Sequence, residues 1–384
     1  MKKSIYILFL FLCAACQSDV DYLDSDVFVG SYRVYDQRIA FPFSLVFTED
    51  EILLYNQDGM EIDKGPLLNP IKNMDTVSMS NHEYFFSYVN PERLFAFDLM
   101  DSLRFKKFEN RGLSAKDAAV FYKTQLSKNN DKSAVKNILK SQSWHFPNFE
   151  TNPNDDLVID QEWRFLEQEV LVYTYYHYEN QMLHIELKKL AYQIIDINGV
   201  TLLSVRNKDK VRNPLPLIQL MDVDKNKLVI KYFGVRNPTT QIIKPFTLPY
   251  EKASRNDAFA FSNCFDGYQG EYYYGDDVTY FQGNQYIVDQ ISADAPPADG
   301  NGYLILHFNI NCKKELGRFG LLQMNQSFKA RKFNADFVAH VFKEVRKLKE
   351  WPSTLSTEDF LPYKDVHAFL MFKIEDGKIT DLCP

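Results

Sequence analysis

Thiols, imidazoles and paired carboxylates are the side chains here whose spacing could carry chemistry. Cys13 and Cys16 lie close together near the start, and Cys264, Cys312 and Cys383 lie far downstream. A thiol can be acylated, can form a disulfide or can ligate a metal, so position decides among these. The histidines are His82, His145, His177, His184, His307, His340 and His367. None forms an HExxH pair or a Cys/His spacing suited to zinc. His177 and His184 could face each other across a turn, and are expected at exposed strand positions. Asp222 to Lys227, "DVDKNK", starts like a calcium loop, but Lys227 stands where glycine is required and Phe233 where glutamate is required. A tight turn is the better reading. The paired aspartates of "NDD" (154–156) and "GDDVTY" (275–280) read as solvated loop residues. With no GxSxG, phosphate-cradling glycine loop or Cys–His signature, the expectation is a protein that is not an enzyme and needs no cofactor or metal.

The chain has 384 residues, enough for two to four domains. Hydrophobic residues make up 45% and charged residues 25%, the balance of a folded body. A net charge of −7 without a basic block argues against nucleic acid as a partner.

Lys2 and Lys3 precede an apolar run, Ile5 to Leu12, too short for a bilayer core of ~30 Å. Ala14 and Ala15 then precede Cys16. This segment resembles the signal peptide and lipobox of bacterial lipoproteins, with Cys13 where that family prefers Leu. The resemblance implies cleavage before Cys16 and diacylglycerol on its sulfur, each buried methylene contributing ~0.8 kcal/mol to the membrane anchor. Gln17 is not the aspartate that retains such proteins in an inner membrane, which implies the outer membrane of a Gram-negative cell. Asp19, Asp21, Asp24 and Asp26 form an acidic tether, read either as a surface-export signal or as a solvated spacer. In a disulfide-permitting compartment, Cys264, Cys312 and Cys383 allow one bridge, and Cys312 with either neighbour is plausible.

The elements downstream are mainly β, followed by an α+β unit. "YRVYD", "FSLVF", "EILLY", "YFFSYV", "RLFAFDL" and "LRFKKF" read as strands of an antiparallel barrel or sandwich over 28–112. "NQDG" at Asn56–Gly59 and Asn90-Pro91 supply turns. A helical connector over 113–142 is expected in two pieces. The first starts at a Ser114–Asp117 capping box with Ala115, Ala118, Ala119, Tyr122 and Leu126 on one face; the second is Ser133 to Ser141. A second β domain spans 143–252, with turns at Glu179-Asn180 and Asn198-Gly199. Similar length and strand count suggest a duplicated, lipocalin-like unit. Residues 1–15 are the signal peptide, 16–27 the lipidated tether, and 253–384 the last domain.

That last domain reads as a hairpin of "GYLILHFNIN" and "RFGLLQM", then a helix "NADFVAHVFKEVRKLKEW" capped by Asn334 and stopped at Pro352, then a strand "VHAFLMFKI". With "GNQYIVDQI" upstream as a short helix, the order resembles the C-terminal domain of the energy-transducing protein TonB. Cys312-Lys313 replaces that family's Asp-Gly turn, and the family's inner-membrane helix and Pro-rich span have no counterpart here. The resemblance implies an envelope protein partner bound by strand addition to the edge of this sheet. The expected edge is Val366 to Ile374, with Val366, Ala368, Leu370 and Phe372 in the binding strand, or the strand Phe319 to Met324. The alternative is binding of glycans or small apolar ligands by the tyrosine-rich stretches 172–181 and 270–281, with Tyr272 and Tyr274 among the stacking rings.

Overall fold

Strands outnumber helices because aromatic and β-branched residues alternate with polar ones between short turns. The computed structural model describes residues 26–33, 40–48, 50–66, 75–78, 83–90, 93–98, 119–146, 155–179, 181–206, 217–233, 238–247, 255–262, 264, 269–271, 280–351 and 365–383. Cys16, "LRFKKF", Tyr272 and Tyr274 lie outside these. The chain divides into two units, residues 1–138 with 191–243 and residues 139–190 with 244–384. Each is therefore made of two separate stretches, where the sequence reading laid domains end to end.

In the first unit, eight strands come first: β1 (Val27–Arg33), β2 (Ala40–Phe47), β3 (Glu51–Tyr55), β4 (Glu61–Pro66), β5 (Asp75–Ser78), β6 (Glu83–Asn90), β7 (Arg93–Asp98) and β8 (Ala119–Lys123). They pair in the order β4-β3-β2-β1-β8-β7-β6-β5 and form an antiparallel barrel. The helix expected from Ser114 through Leu126 is corrected for its described part: Ala119–Lys123 is a strand between β1 and β7. Alternation explains it, since Phe121 is buried while Leu126 on the supposed helical stripe is exposed. The second connector helix is present as α1 (Lys132–Ser141), where the Asp131 carboxylate accepts the N–H groups of Ser133 and Ala134.

Eight more strands follow: β9 (Trp144–Phe146), β10 (Val158–Phe165), β11 (Glu169–Tyr178), β12 (Gln181–Ile197), β13 (Val200–Arg206), β14 (Ile218–Val223), β15 (Leu228–Tyr232) and β16 (Thr239–Pro245). Each pairs with the next in sequence, and β16 returns to β9. The unit boundary falls within β12 and β16. In the first unit, Val27, Val29 and Val46 of the barrel pack against Ile195, Ile197, Val200, Leu202, Leu217 and Phe233. The register leaves Phe28, Leu45, Phe47, Ile52, Leu54 and Phe121 on the opposite barrel face. Turns follow the sequence closely. Asn56 Oδ1 accepts the N–H groups of Asp58 and Met60, Asn198-Gly199 has both φ angles positive, and Asp224 Oδ1 closes the "DVDKNK" turn onto Asn226 and Lys227.

The second unit adds β17 (Phe259–Ala260), β18 (Gln269–Glu271), α2 (Gly283–Ser292), β19 (Gly302–Ile310), β20 (Leu316–Met324), α3 (Ala335–Val345), β21 (Asp365–Glu375) and β22 (Lys378–Cys383). The last sheet runs β18-β21-β19-β20, with β22 also on β21. One face buries Leu304, Leu306, Phe308, Leu321, Leu370 and Phe372 against Ile287, Val288 and Ile291 of α2 and Phe337, Val338, Val341, Phe342 and Val345 of α3. Each such side chain contributes ~1.5–3 kcal/mol on burial. The helix expected to reach Trp351 ends instead at Val345. Lys347 and Leu348 turn the chain, and Trp351 drops into the core with its indole N–H on the Leu348 carbonyl. Cys264 and Cys312 form the disulfide, Cα atoms 5.8 Å apart.

Gly302 starts β19 at φ +154°, and a Cβ there would lie 2.2 Å from the Met324 carbonyl oxygen. Gly302→Ala is expected to cost about 2–4 kcal/mol by forcing β19 and β20 apart. Urea unfolding followed by tryptophan fluorescence measures it, and an unchanged midpoint contradicts the tight approach.

Candidate functional site

Two places in the second unit carry the relevant groups: the edges of the last sheet, and one face of β10.

β21 holds the residues expected to form an open binding edge, and the structure corrects this. β19 pairs along one side of it, while β18 covers Asp365–His367 and β22 covers Met371–Glu375 on the other. Val366, Ala368, Leu370 and Phe372 are buried in the core, since β-strand alternation turns them toward the helices. They are packing residues of an interior strand. The physical reason is β22, a strand that sequence reading stopped short of: the turn at Asp376-Gly377 folds Lys378–Cys383 back onto β21.

The second expected edge, in β20, has β19 as its strand partner, yet its outer groups are occupied. Arg318 N–H donates to Glu186 Oε1 at 2.7 Å, and Leu321 N–H donates to Asp155 Oδ1 at 2.9 Å. The Leu321 carbonyl accepts Asp156 N–H at 2.7 Å, and the Gln323 carbonyl accepts Arg331 N–H at 3.3 Å. Gln323 also donates from both backbone and side chain to the Asp156 carboxylate. Asp155 and Asp156 therefore are not the solvated loop pair read from "NDD". β22 differs: among the described residues its strand pairing is to β21 alone, its Leu382 N–H donates to the neighbouring Asp381 Oδ1 at 2.8 Å, and α2 packs against it.

Behind the β20 edge lies a buried polar group. His184, expected at an exposed strand position, is enclosed by the rings of Tyr176, Phe319, Phe342 and Phe259. Among the described residues its Nε2 has no hydrogen-bond partner, and it lies 3.8 Å from Glu186 Oε1. Burial pushes its pKa down to about 3, helped by Arg346, and pushes Glu186 up to about 7 against the bonds it accepts.

On β10, Asp160 and Glu162 share one face because they are two residues apart. Asp160 accepts from His145 Nε2 at 2.9 Å and from His177 Nε2 at 2.8 Å, so His177 too is buried, not exposed. The bond from His177 holds the Asp160 carboxyl below its ordinary pKa. Glu162 is held by Arg255 through both oxygens, the shortest bond being 2.6 Å, and by the Tyr175 hydroxyl at 2.6 Å. Burial alone would raise the Glu162 pKa, but the bonds from Arg255, Ser143 and Tyr175 hold it down. The Ser143 and Tyr175 hydroxyls are thus committed to Glu162, while Asp160 orients the two imidazoles. Among the described residues, no group of three His, Cys, Asp or Glu side chains is arranged to hold a metal ion. The tyrosines of 172–181 that were to stack on sugars, Tyr173, Tyr175, Tyr176 and Tyr178, are buried.

Glu162→Ala strands Arg255 and the Tyr175 hydroxyl, and is expected to cost about 3–5 kcal/mol in urea unfolding. Asp160 has its folded pKa depressed, so its contribution is present above the ordinary carboxylate pKa and is lost as pH falls through the folded value. Wild type should therefore lose stability below about pH 4 more steeply than Asp160→Asn; parallel curves contradict the pairing. The chain matches no family model, no curated protein and no solved structure.

Proposed function

We propose that this chain is a non-enzymatic, lipid-anchored envelope protein that captures an extended segment of a protein partner by strand addition, and that β22 is the edge it uses. Lipidation at Cys16 holds it to the outer membrane. The two eight-strand runs serve as lipocalin-like, duplicated β units, and the last unit as a TonB-like binding domain. The helix-strand-strand-helix-strand order from Gly283 to Glu375 supports the last part, and the return of the eighth strand to the first in both runs, β8 to β1 and β16 to β9, supports the duplication.

One observation carries the choice of edge. β21 is paired with β19 along one side and with β18 and β22 over its two ends on the other, and β20 is capped, whereas β22 pairs only with β21 among the described residues. Ile379 and Leu382 anchor it in the core, while Lys378, Thr380 and Asp381 face solvent. The local bond from Leu382 N–H to Asp381 is part-buried, and a guest carbonyl replacing it exchanges one hydrogen bond of about 1 kcal/mol for another. A guest strand pairing here gains main-chain bonds and leaves the core undisturbed.

Full-length protein in its native cell, carrying a photoreactive phenylalanine at Thr380 or, as control, at exposed Lys343 of α3, tests this. A discrete adduct at Thr380 and none at Lys343 is expected, and Cys16→Ala should release the protein from the membrane fraction and remove the adduct. Equal labelling at both positions, or none at Thr380, overturns the reading.

A further inference from the structure

The edge strand β22 carries two charges whose order matters. It pairs with β21 so that Asp381 lies opposite Lys373 and Lys378 opposite Glu375, with Thr380 as an extra residue between them. Lys373 and Glu375 are two apart on β21 and share one face, so Asp381 and Lys378 share it too, although three positions separate them. That face points away from α2 and α3, since the alternate residues Phe372 and Ile374 are buried against those helices. Within β21, Lys373 Nζ pairs with Glu375 Oε1 at 2.9 Å, and the Thr380 hydroxyl donates to Glu375 Oε2 at 3.3 Å. Lys378 and Asp381 are exposed, and neither forms an ion pair among the described residues. The edge therefore presents one cation and one anion on a single face, each open to a charge on an added strand.

We propose that the segment paired to β22 is β22 of a second copy, joined antiparallel across a two-fold axis with Lys378 of each copy opposite Asp381 of the other. This rests on the strand-addition reading above and names its occupant. In an isologous contact residue i meets j and j meets i, so a single self-complementary order satisfies both charges at once. The joined sheet then carries a row of alternating sign: Lys373, Asp381, Lys378 of the second copy and Glu375 of the second copy. Opposite charges directly across strands stabilise a pair, and like charges destabilise it. An in-register parallel arrangement would set lysine on lysine and aspartate on aspartate, so the charges also fix the direction. Because both lie on one face, the axis runs normal to the sheet and keeps the helices of both copies on the same side. Six residues make a small edge, so the contact is weak and the dilute protein is monomeric. Lipid anchors on one membrane raise the effective concentration.

Sedimentation of the intact chain in detergent tests this. Wild type should form reversible dimers as its concentration rises to the order of 0.1 mM. Lys378→Glu and Asp381→Lys should each raise the dissociation constant about tenfold, since each sets two pairs of like charges face to face. An equal mixture of the two variants should associate near the wild-type constant, because one then presents two anions and the other two cations. A variant that merely misfolds is not rescued in this way. Monomeric wild type at that concentration, single variants that dimerise like wild type, or a mixture without rescue overturns the proposal. A Thr380 adduct of some mass other than twice the chain, with monomeric wild type, removes the second copy and keeps the β22 edge; neither adduct nor dimer removes both.

Discussion

Strand edges must have their N–H and C=O groups bonded to something, protein or water, and this chain is organised around that requirement. The first eight strands answer it by returning β8 to β1, with β4 and β5 at the two ends of the order, and the next eight by returning β16 to β9 and pairing β11 with β12. Where consecutive strands join directly, a short turn suffices, which is why Asp58-Gly59 and Asn198-Gly199 matter. The last sheet cannot close this way, because two helices occupy one of its faces. It covers β21 with β18 and β22, and β20 with three carboxylates.

Carboxylate capping carries a tension that strand pairing does not. An ionised acid makes a stronger bond to N–H than a carbonyl does, yet its burial costs free energy. Glu186 shows both sides of this, bonded to Arg318 N–H and Tyr176 but pushed toward the neutral form by burial. Glu162 faces the same cost and resolves it with Arg255, whose guanidinium remains half-exposed. Of these two buried glutamates, Glu162 has a hydrogen-bonded cation and two hydroxyls, while Glu186 has one N–H and one hydroxyl and is pushed up to about 7.

Local features were legible from sequence, and non-local ones were not. Asn56–Gly59, Asn198-Gly199 and Asp376-Gly377 are turns because their residues tolerate positive φ within the turn itself. α3 was legible from Phe337, Val338, Val341 and Val345, though its end was not, since Trp351 continues the stripe on paper while tucking under the helix in space. The segment around Ala119 was misread because small and aromatic residues suit a helical stripe and a strand equally; pairing to β1 and β7 decides. The β20 caps join residues 166 and 132 positions apart, and no spacing rule reaches so far. His177 and His184 read as exposed because their partners, Asp160 and a ring of aromatics, come from other elements.

Residue-resolved amide exchange of the unliganded protein at pH 6 tests the central claim most directly, that β22 offers the accessible edge while β20 and β21 are closed. The account predicts slow exchange at Leu321, Gln323 and throughout Val366–Ile374, with the outward amides of β22 exchanging at least tenfold faster. β22 amides as slow as those of β21, or β20 amides as fast as those of β22, would contradict it.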